Sequence, residues 1–167
     1  MVWVLKRQAA RVVLINDQRE VYCIESLDPA DPSKGNWWEI PGGGIDPGEP
    51  SAVAVARELH EEAGIRDAEI GPVVVTQHVE FEFGGYHFDQ DEVIHVARTS
   101  ETELHRPQGL EYLEALAFQG ARWWPVDELA ASDATFLPPW LPEVVERLAD
   151  RDLPDPPWDM TERMKQG

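Results

Sequence analysis

The feature that most restricts the fold of this chain is a change of pattern near residue 50. A run of glycines, Pro41–Gly44, interrupts a short strand-like segment, and a helical period follows it. Pro50 suits the first turn of a helix, where its missing N–H is not needed. Gly64 suits a left-handed C-terminal cap. The apolar residues that recur at helical spacing are Ala52, Val55, Ala56, Leu59 and Ala63. The pattern predicts an amphipathic helix whose apolar side packs on a sheet.

The remaining segments read mostly as strands. Residues 10–15 and 21–24 are apolar and flank turn-forming residues, which predicts a β-hairpin. Further strands are predicted at 37–40, 70–77, 78–83, 92–98 and 122–126, with residues 89–91 as a break and short helices near 127–131 and 142–149. Residues 99–120 predict a long loop with one helical turn. This order indicates an α/β fold with a mixed sheet between helices.

Composition bounds the class of protein. One domain over residues 1–150 is expected, and residues 151–167, rich in Pro, Asp and charge, predict a loosely held C-terminal tail. The net charge of −18 makes non-specific nucleic-acid binding unlikely, because that binding relies on Lys and Arg. There is no apolar run of membrane-spanning length, the N-terminus is unlike a secretory signal, and Cys23 is the only cysteine. These observations predict a cytoplasmic protein that does not bind membranes.

Three acids lie on the predicted helix. At about 100° per residue, Glu61 and Glu62 flank Glu58 on one face. Their mutual repulsion, and their position towards the negative end of the helix dipole, both disfavour this arrangement. Such a face is either solvated or holds a cation, and the clustering alone favours the solvated face. If a cation is held, carboxylate ligands match Mg²⁺ or Mn²⁺ rather than zinc.

The preceding loop changes this balance. The chain has Gly43, five residues, Glu49, seven residues, and then Arg57-Glu58-Leu59-His60-Glu61-Glu62-Ala63-Gly64-Ile65. Residues 43–65 resemble the Nudix box, and every defined position of that motif is matched. A weaker resemblance covers nearly the whole chain, including residues 38–43, which lead into the box, and residues 122–129 after it.

The resemblance implies a Nudix-type α/β/α sandwich that hydrolyses a nucleoside diphosphate linked to another group. It implies that Glu58, Glu61 and Glu62, with the Gly43 carbonyl, bind Mg²⁺ or Mn²⁺, and that Glu58 activates water. It also implies a catalytic carboxylate from a distant segment, for which Glu114 is favoured over the candidates Glu111 and Glu92. The charges of Arg57 and Glu49 are given the structural role of holding the loop on the helix. The partner expected is a small nucleoside diphosphate derivative. The sequence leaves the oligomeric state open between a monomer and a homodimer, and dimers are common among similar proteins.

Two other functions occur on the same fold. A non-catalytic nucleotide sensor with this fold would favour loss of one of the three helix glutamates, and none is lost. An isoprenyl diphosphate isomerase would use a catalytic cysteine, and Cys23 precedes the motif. The adjacent pairs Trp37–Trp38 and Trp123–Trp124 suggest that one ring of each pair faces outwards, so that Trp37 or Trp124 is available to stack on a base. Ser51 has no base at a telling spacing.

Overall fold

The structure is a computed structural model that describes residues 2–166. Over these residues the chain forms nine strands, five α-helices and one 3₁₀ turn at Pro32–Lys34. The strands are β1 (Trp3–Asn16), β2 (Glu20–Ser26), β3 (Trp37–Glu39), β4 (Gly42–Gly44), β5 (Glu69–Phe83), β6 (Tyr86–Thr99), β7 (Phe118–Pro125), β8 (Phe136–Leu137) and β9 (Trp158–Asp159). The helices are α1 (Ser51–Ala63), α2 (Tyr112–Ala117), α3 (Val126–Ala131), α4 (Leu141–Ala149) and α5 (Thr161–Met164).

One mixed sheet organises the molecule. Its strands follow the order β8-β3-β2-β1-β6-β5-β9, with β4 paired to β1 and β7 to β2. The long β1–β6 pair is parallel, whereas β1–β2, β2–β7 and β5–β6 are antiparallel. The predicted hairpin of β1 and β2 is confirmed, with Ile15 opposite Val21. The predicted break at residues 89–91 is wrong, because β6 runs through it and buries Gln90 while Asp89 and Asp91 reach His78.

Helices cover both faces of the sheet, which confirms the predicted α/β/α sandwich. Helix α1 packs through Val55 and Leu59 on one face, and α3 and α4 pack on the other. Helix α1 ends as predicted, since Gly64 has φ +68 and its N–H bonds the His60 carbonyl at 3.0 Å. Within the described residues, none of the helices combines the length and the apolar character needed to cross a bilayer.

The segment after residue 150 is packed, so the prediction of a loosely held tail is wrong. Strand β9 pairs in parallel with β5, and the Met160 N–H donates to the Thr76 carbonyl at 3.0 Å. The Thr161 hydroxyl accepts from the His78 N–H at 3.0 Å. Trp158, Met160 and Met164 lie against the main core. The few large apolar side chains among the prolines and acids supply the contacts that attach this segment to the sheet edge.

Both tryptophans of the second pair are buried, which corrects the expectation that Trp124 could face outwards. Trp123 packs in the core under α1, and Trp124 packs in the opposite core against Trp38 and Phe136. Successive strand residues do point to opposite faces, but both faces are covered by helices here. Trp37, by contrast, is only half-buried and lines a cleft.

Candidate active site

The glycine turn, which consists of Pro41 and the three residues of the short strand β4 (Gly42–Gly44), lies close to the acidic helix α1. A Cβ added to Gly43 would lie 2.5 Å from Glu58 Oε1, so only glycine allows this approach without displacing the carboxylate. The Gly42 N–H donates to Glu62 Oε1 at 3.1 Å. The loop and the helix that the sequence singled out therefore form one site.

Three carboxylates converge beneath this turn. Glu58, Glu62 and Glu114 each place an oxygen within 4.8 Å of the other two. Glu58 and Glu62 are only 5% and 7% exposed, and Glu114 is half-buried. Glu114 comes from α2, so the structure brings the favoured distant acid to the helix glutamates.

The other predicted acids lie elsewhere. The Glu111 side chain caps the first turn of α2, while Glu114 Oε1 accepts from the Glu111 N–H at 2.8 Å. Glu61 lies outside the cluster of three, with its carboxylate 3.4 Å from Arg57 Nη1. The backbone carbonyl of Glu61 accepts from the Gln108 and Gly109 N–H groups at 2.8 and 3.1 Å. Glu61 therefore links α1 to the loop that leads to α2.

The electrostatics of the cluster suit a cation. Burial raises the pKa of Glu58 and of Glu114, and burial together with the charges of Glu58 and Glu114 raises the pKa of Glu62 well above its ordinary value. Glu58 Oε2 is buried and has no hydrogen-bond partner among the described residues. Buried carboxylates of this kind are costly unless a positive group completes them. An all-oxygen donor set with a free buried oxygen fits a hard divalent cation.

Arg57 holds the loop as predicted. Its guanidinium donates to both oxygens of Glu49, at 3.0 and 2.9 Å, and to the Gly44 carbonyl at 3.0 Å. Its Nη1 also lies 3.1 Å from Glu58 Oε1. Hydrogen bonds to Glu49 raise the pKa of Arg57 despite partial burial. Arg57 therefore fixes the glycine turn and one oxygen of Glu58 together, while the second oxygen stays free.

Glu92 belongs to a separate, satisfied network. Its oxygens accept from Arg11 Nε at 2.7 Å, from Gln77 Nε2 at 2.7 Å and from Gln90 Nε2 at 2.5 Å. Burial alone would raise the pKa of Glu92, but Arg11 and the amide donors outweigh it and lower that pKa. With these partners in place, Glu92 has the environment of a structural ion pair rather than of a metal ligand.

A cleft of about 890 Å³ extends from the carboxylates along the sheet. Residues of the β5–β6 hairpin line the cleft. The turn of this hairpin contacts the loop after β2, where Asp28 accepts from the Gly84 N–H at 3.0 Å and from Lys34 Nζ at 2.6 Å. The stacked rings of Phe81 and Phe88, with centroids 5.0 Å apart, line one wall. The cleft thus joins a polar, acidic end to aromatic walls, as expected for a site that takes a small molecule.

Sequence reasoning missed one polar pair. Ser51 Oγ lies 2.8 Å from His95 Nε2, and His95 Nδ1 lies 2.8 Å from the Gly71 carbonyl. Spacing along the sequence does not indicate this base for Ser51, because the fold brings β6 to the start of α1 across 44 residues. His95 is buried, and the pair lies outside the cleft lining, so it ties α1 to the sheet. Cys23 is fully buried, and burial raises the pKa of its thiol.

Comparison with known proteins identifies the family of this chain. The family model described as the NUDIX domain matches residues 5–148, so the chain belongs to the Nudix family. An RNA pyrophosphohydrolase of Wolbachia pipientis subsp. Culex pipiens is 26% identical over 156 residues, which cover 86% of this chain and 89% of that protein. Nudix hydrolase 26, chloroplastic, of Arabidopsis thaliana is 44% identical over 64 residues, or 38% of this chain and 27% of that protein. In the first relatives the matched part spans well under half of their own length, 27–39%.

Solved structures share the fold. The E. coli dihydroneopterin triphosphate pyrophosphohydrolase superposes with a TM-score of 0.60 at 16% identity, covering 90% of this chain and 99% of that one. The Nudix domain of Shewanella oneidensis NrtR, solved with ADP ribose, gives a TM-score of 0.57 at 19% identity, covering 88% of each chain. At these identities the likeness establishes the architecture and leaves the substrate to be argued from the site.

Proposed function

We propose that this protein is a metal-dependent hydrolase that cleaves the diphosphate linkage of a nucleoside diphosphate joined to another group. The observation that carries this proposal is the convergence of Glu58, Glu62 and Glu114 within 4.8 Å, buried beneath the glycine turn. Residues 1–150 would form the catalytic domain. The cytoplasmic location and the homodimer stay predictions.

The proposed ligands are Glu58, Glu62 and Glu114 with the Gly43 carbonyl, and Glu61 stays in the proposed set at its edge. Mg²⁺ is the proposed ion, with Mn²⁺ as the alternative, because all the donors are oxygen. A bound cation of this kind would neutralise phosphate oxygens and lower the pKa of water. It would also allow a chain of net charge −18 to bind an anionic substrate.

The chain's own groups have distinct tasks in this proposal. Glu58 Oε2, free of hydrogen bonds, would accept the proton of the attacking water. Arg57 would hold Glu58 in place through its contact with the other oxygen, 3.1 Å away. Gly43 leaves the space that a Cβ would fill beside that carboxylate. The aromatic walls of the cleft would exclude water around the substrate.

The substrate class is open among nucleoside triphosphates, ADP-ribose, dinucleotides and capped RNA ends. Relatives are named as RNA pyrophosphohydrolases and as a putative 8-oxo-dGTP diphosphatase of Bacillus subtilis (strain 168), and one structural neighbour holds ADP ribose. The acidic surface argues mildly against long RNA. A sensor that binds such ligands without cleaving them is the second candidate function, and the complete set of carboxylates argues against it.

A substrate panel tests the proposal. Purified protein with Mg²⁺ or Mn²⁺ is incubated with each substrate class, and the products are resolved by chromatography and phosphorus NMR. We expect cleavage within a diphosphate linkage of at least one class, dependent on the divalent ion. Glu146→Gln serves as the charge-matched control, because Glu146 is exposed on α4 and far from the site. Binding by calorimetry with no turnover in any class would instead indicate the sensor.

A further inference from the structure

The start of β1 is apolar and exposed. Val2, Trp3, Val4 and Leu5 are 54%, 69%, 53% and 40% exposed. On one side this segment pairs in parallel with β6, where Trp3 lies opposite Tyr86, which is itself 36% exposed. Natural proteins rarely leave a flat apolar strand uncovered at the edge of a sheet, because such a strand pairs readily with another chain. The segment therefore has the character of an interface.

The backbone on the other side of this segment is free. The Gln8 carbonyl points away from β6, since it accepts from the Ile45 N–H at 2.9 Å. Backbone groups alternate in direction along a strand, so Val4 and Lys6 also direct their N–H and C=O groups away from β6. Among the residues that the structure describes, β4 pairs with β1 only from Ala9 onwards, and no group bonds Val4 or Lys6 on this side. This edge can therefore accept a further strand.

An open groove borders the free edge. It has a volume of about 620 Å³ and lies between residues 6–8 of β1 and the loop of residues 45–50. A strand added beside β1 would lie about 4.8 Å from it, the ordinary spacing within a sheet. The groove leaves room for the end of such a strand.

Charge favours a second copy of this chain as the source of the added strand. The net charge is −18, yet the first acid along the chain is Asp17, and Lys6, Arg7 and Arg11 precede it. Two copies therefore repel each other over most of their surfaces, and they approach with least repulsion through the start of β1. One segment can supply both strands, because an interface with a two-fold axis uses the same surface twice.

We propose that two copies of this chain pair their β1 strands antiparallel across a two-fold axis at Leu5, which joins the two sheets. In this register Val4 of each copy lies opposite Lys6 of the other, so that the free backbone groups of both residues bond each other. Leu5 lies opposite its own copy, and Trp3 lies opposite Arg7 of the partner subunit. The register pairs the whole free stretch Trp3–Arg7, and the proposal does not depend on the proposed hydrolysis.

This dimer would bring a residue of the partner to the cleft. Arg7 lines the cleft, where its guanidinium lies 4.8 Å from the centre of the Phe88 ring and its Nε donates to Gln90 Oε1 at 2.7 Å. Residues directly opposite each other in an antiparallel pair have their side chains on the same face. Trp3 of the partner subunit would therefore contact the guanidinium of Arg7, and each cleft would be bordered by both copies.

Cysteine cross-linking tests the register. Opposite residues of a non-hydrogen-bonded antiparallel pair have Cα atoms about 4.5 Å apart, a distance that a disulfide can span. Leu5→Cys should therefore form a disulfide-linked dimer under mild oxidation, read by electrophoresis without reducing agent. Leu104→Cys is the matched control, because Leu104 is also exposed, at 52%, but lies on the loop after β6. Cys23 is buried and does not interfere.

Sedimentation measures the dimer itself. The full chain, with any affinity tag at its C-terminus, is centrifuged over a range of concentrations without metal or nucleotide. Leu5→Asp should weaken the dimer by at least about tenfold, because each copy loses a buried leucine and like charges come to lie opposite each other. Leu104→Asp should leave the dimerisation constant unchanged. Circular dichroism checks that both variants are folded.

Each outcome decides the proposal. A wild-type chain that sediments as a monomer at every concentration overturns it. A dimer in which Leu5→Cys cross-links no faster than Leu104→Cys, or which a folded Leu5→Asp leaves intact, also overturns it and places the interface elsewhere. None of these measurements uses a substrate, so a failure of the dimer is distinguishable from a failure of the hydrolase.

Discussion

The cleft is lined by Glu92 and by the cluster of Glu58, Glu62 and Glu114. These acids differ in which groups neutralise their charge. Glu92 has a guanidinium at 2.7 Å and two amide donors, and these lower its pKa in spite of burial. Glu62 is buried and faces the carboxylates of Glu58 and Glu114, and its pKa is raised first by burial and then by those two charges, although it accepts the Gly42 N–H. The charge of Glu92 is neutralised by other groups of the chain, whereas the charges of the cluster around Glu62 need a cation to neutralise them. The comparison indicates which acids stabilise the fold and which serve the reaction.

Removing the charge of Glu92 should lower the stability of the fold. Glu92→Gln leaves the mostly buried guanidinium of Arg11, whose side chain is 18% exposed, without its counter-ion, and breaking a buried pair in this way costs about 3–5 kcal/mol. The measurement is the free energy of unfolding in urea, with Glu146→Gln as the control. A loss below about 0.5 kcal/mol, the size of an ordinary surface substitution, would mean that Arg11 and Glu92 are not coupled as the structure shows.

Removing the charge of Glu62 should instead lower the rate of hydrolysis. Glu62→Gln is expected to reduce the rate on the best substrate by about 10²–10³-fold, the range for loss of one electrostatic group at an active site. Its free energy of unfolding should stay the same or rise, because a repelling buried charge is removed. Full activity of this variant would show that the site has been assigned to the wrong residues.

Divalent cations should stabilise the folded chain by binding the cluster of Glu58, Glu62 and Glu114, and this effect should not depend on Glu92. At a concentration of one hundred times Kd, Mg²⁺ bound to the folded chain alone adds about 2.7 kcal/mol, or roughly 5–10 °C in Tm for a domain of this size. The shift is read by differential scanning calorimetry. It should persist in Glu92→Gln and be much smaller in Glu58→Gln. An equal shift in both variants would place the cation elsewhere.

The pH dependence of stability should also distinguish the ion-paired Glu92 from the metal cluster. We expect this effect to be smaller than those of the substitutions and of the cations. The pKa of Glu92 is lower in the folded chain than in the unfolded one, so its contribution is full above the unfolded pKa of about 4.3. The contribution is lost as pH falls through the folded pKa. The gap in unfolding free energy between wild type and Glu92→Gln should therefore be constant from pH 7 to 5 and narrow below about 4.3. A gap that widened with acid would contradict the ion pair.

The local parts of this protein can be predicted from its amino-acid sequence. Helix α1, its glycine cap and its acidic face follow from residue spacing over fewer than twenty positions, where neighbours along the chain are neighbours in space. The pairing of Arg57 with Glu49 and the closeness of Gly43 to the helix follow from the same short motif.

Contacts between distant residues become visible only in the folded chain. In the fold, Glu114 lies beside the glutamates of α1, whereas Glu61 lies beside Arg57. Ser51 contacts the His95 ring, and Trp124 is buried beneath a second layer of helices. Residues 158–164 are attached to the sheet edge. These contacts join segments far apart in the chain, and no local period encodes them, because they depend on how the sheet curls and on which of its faces are covered.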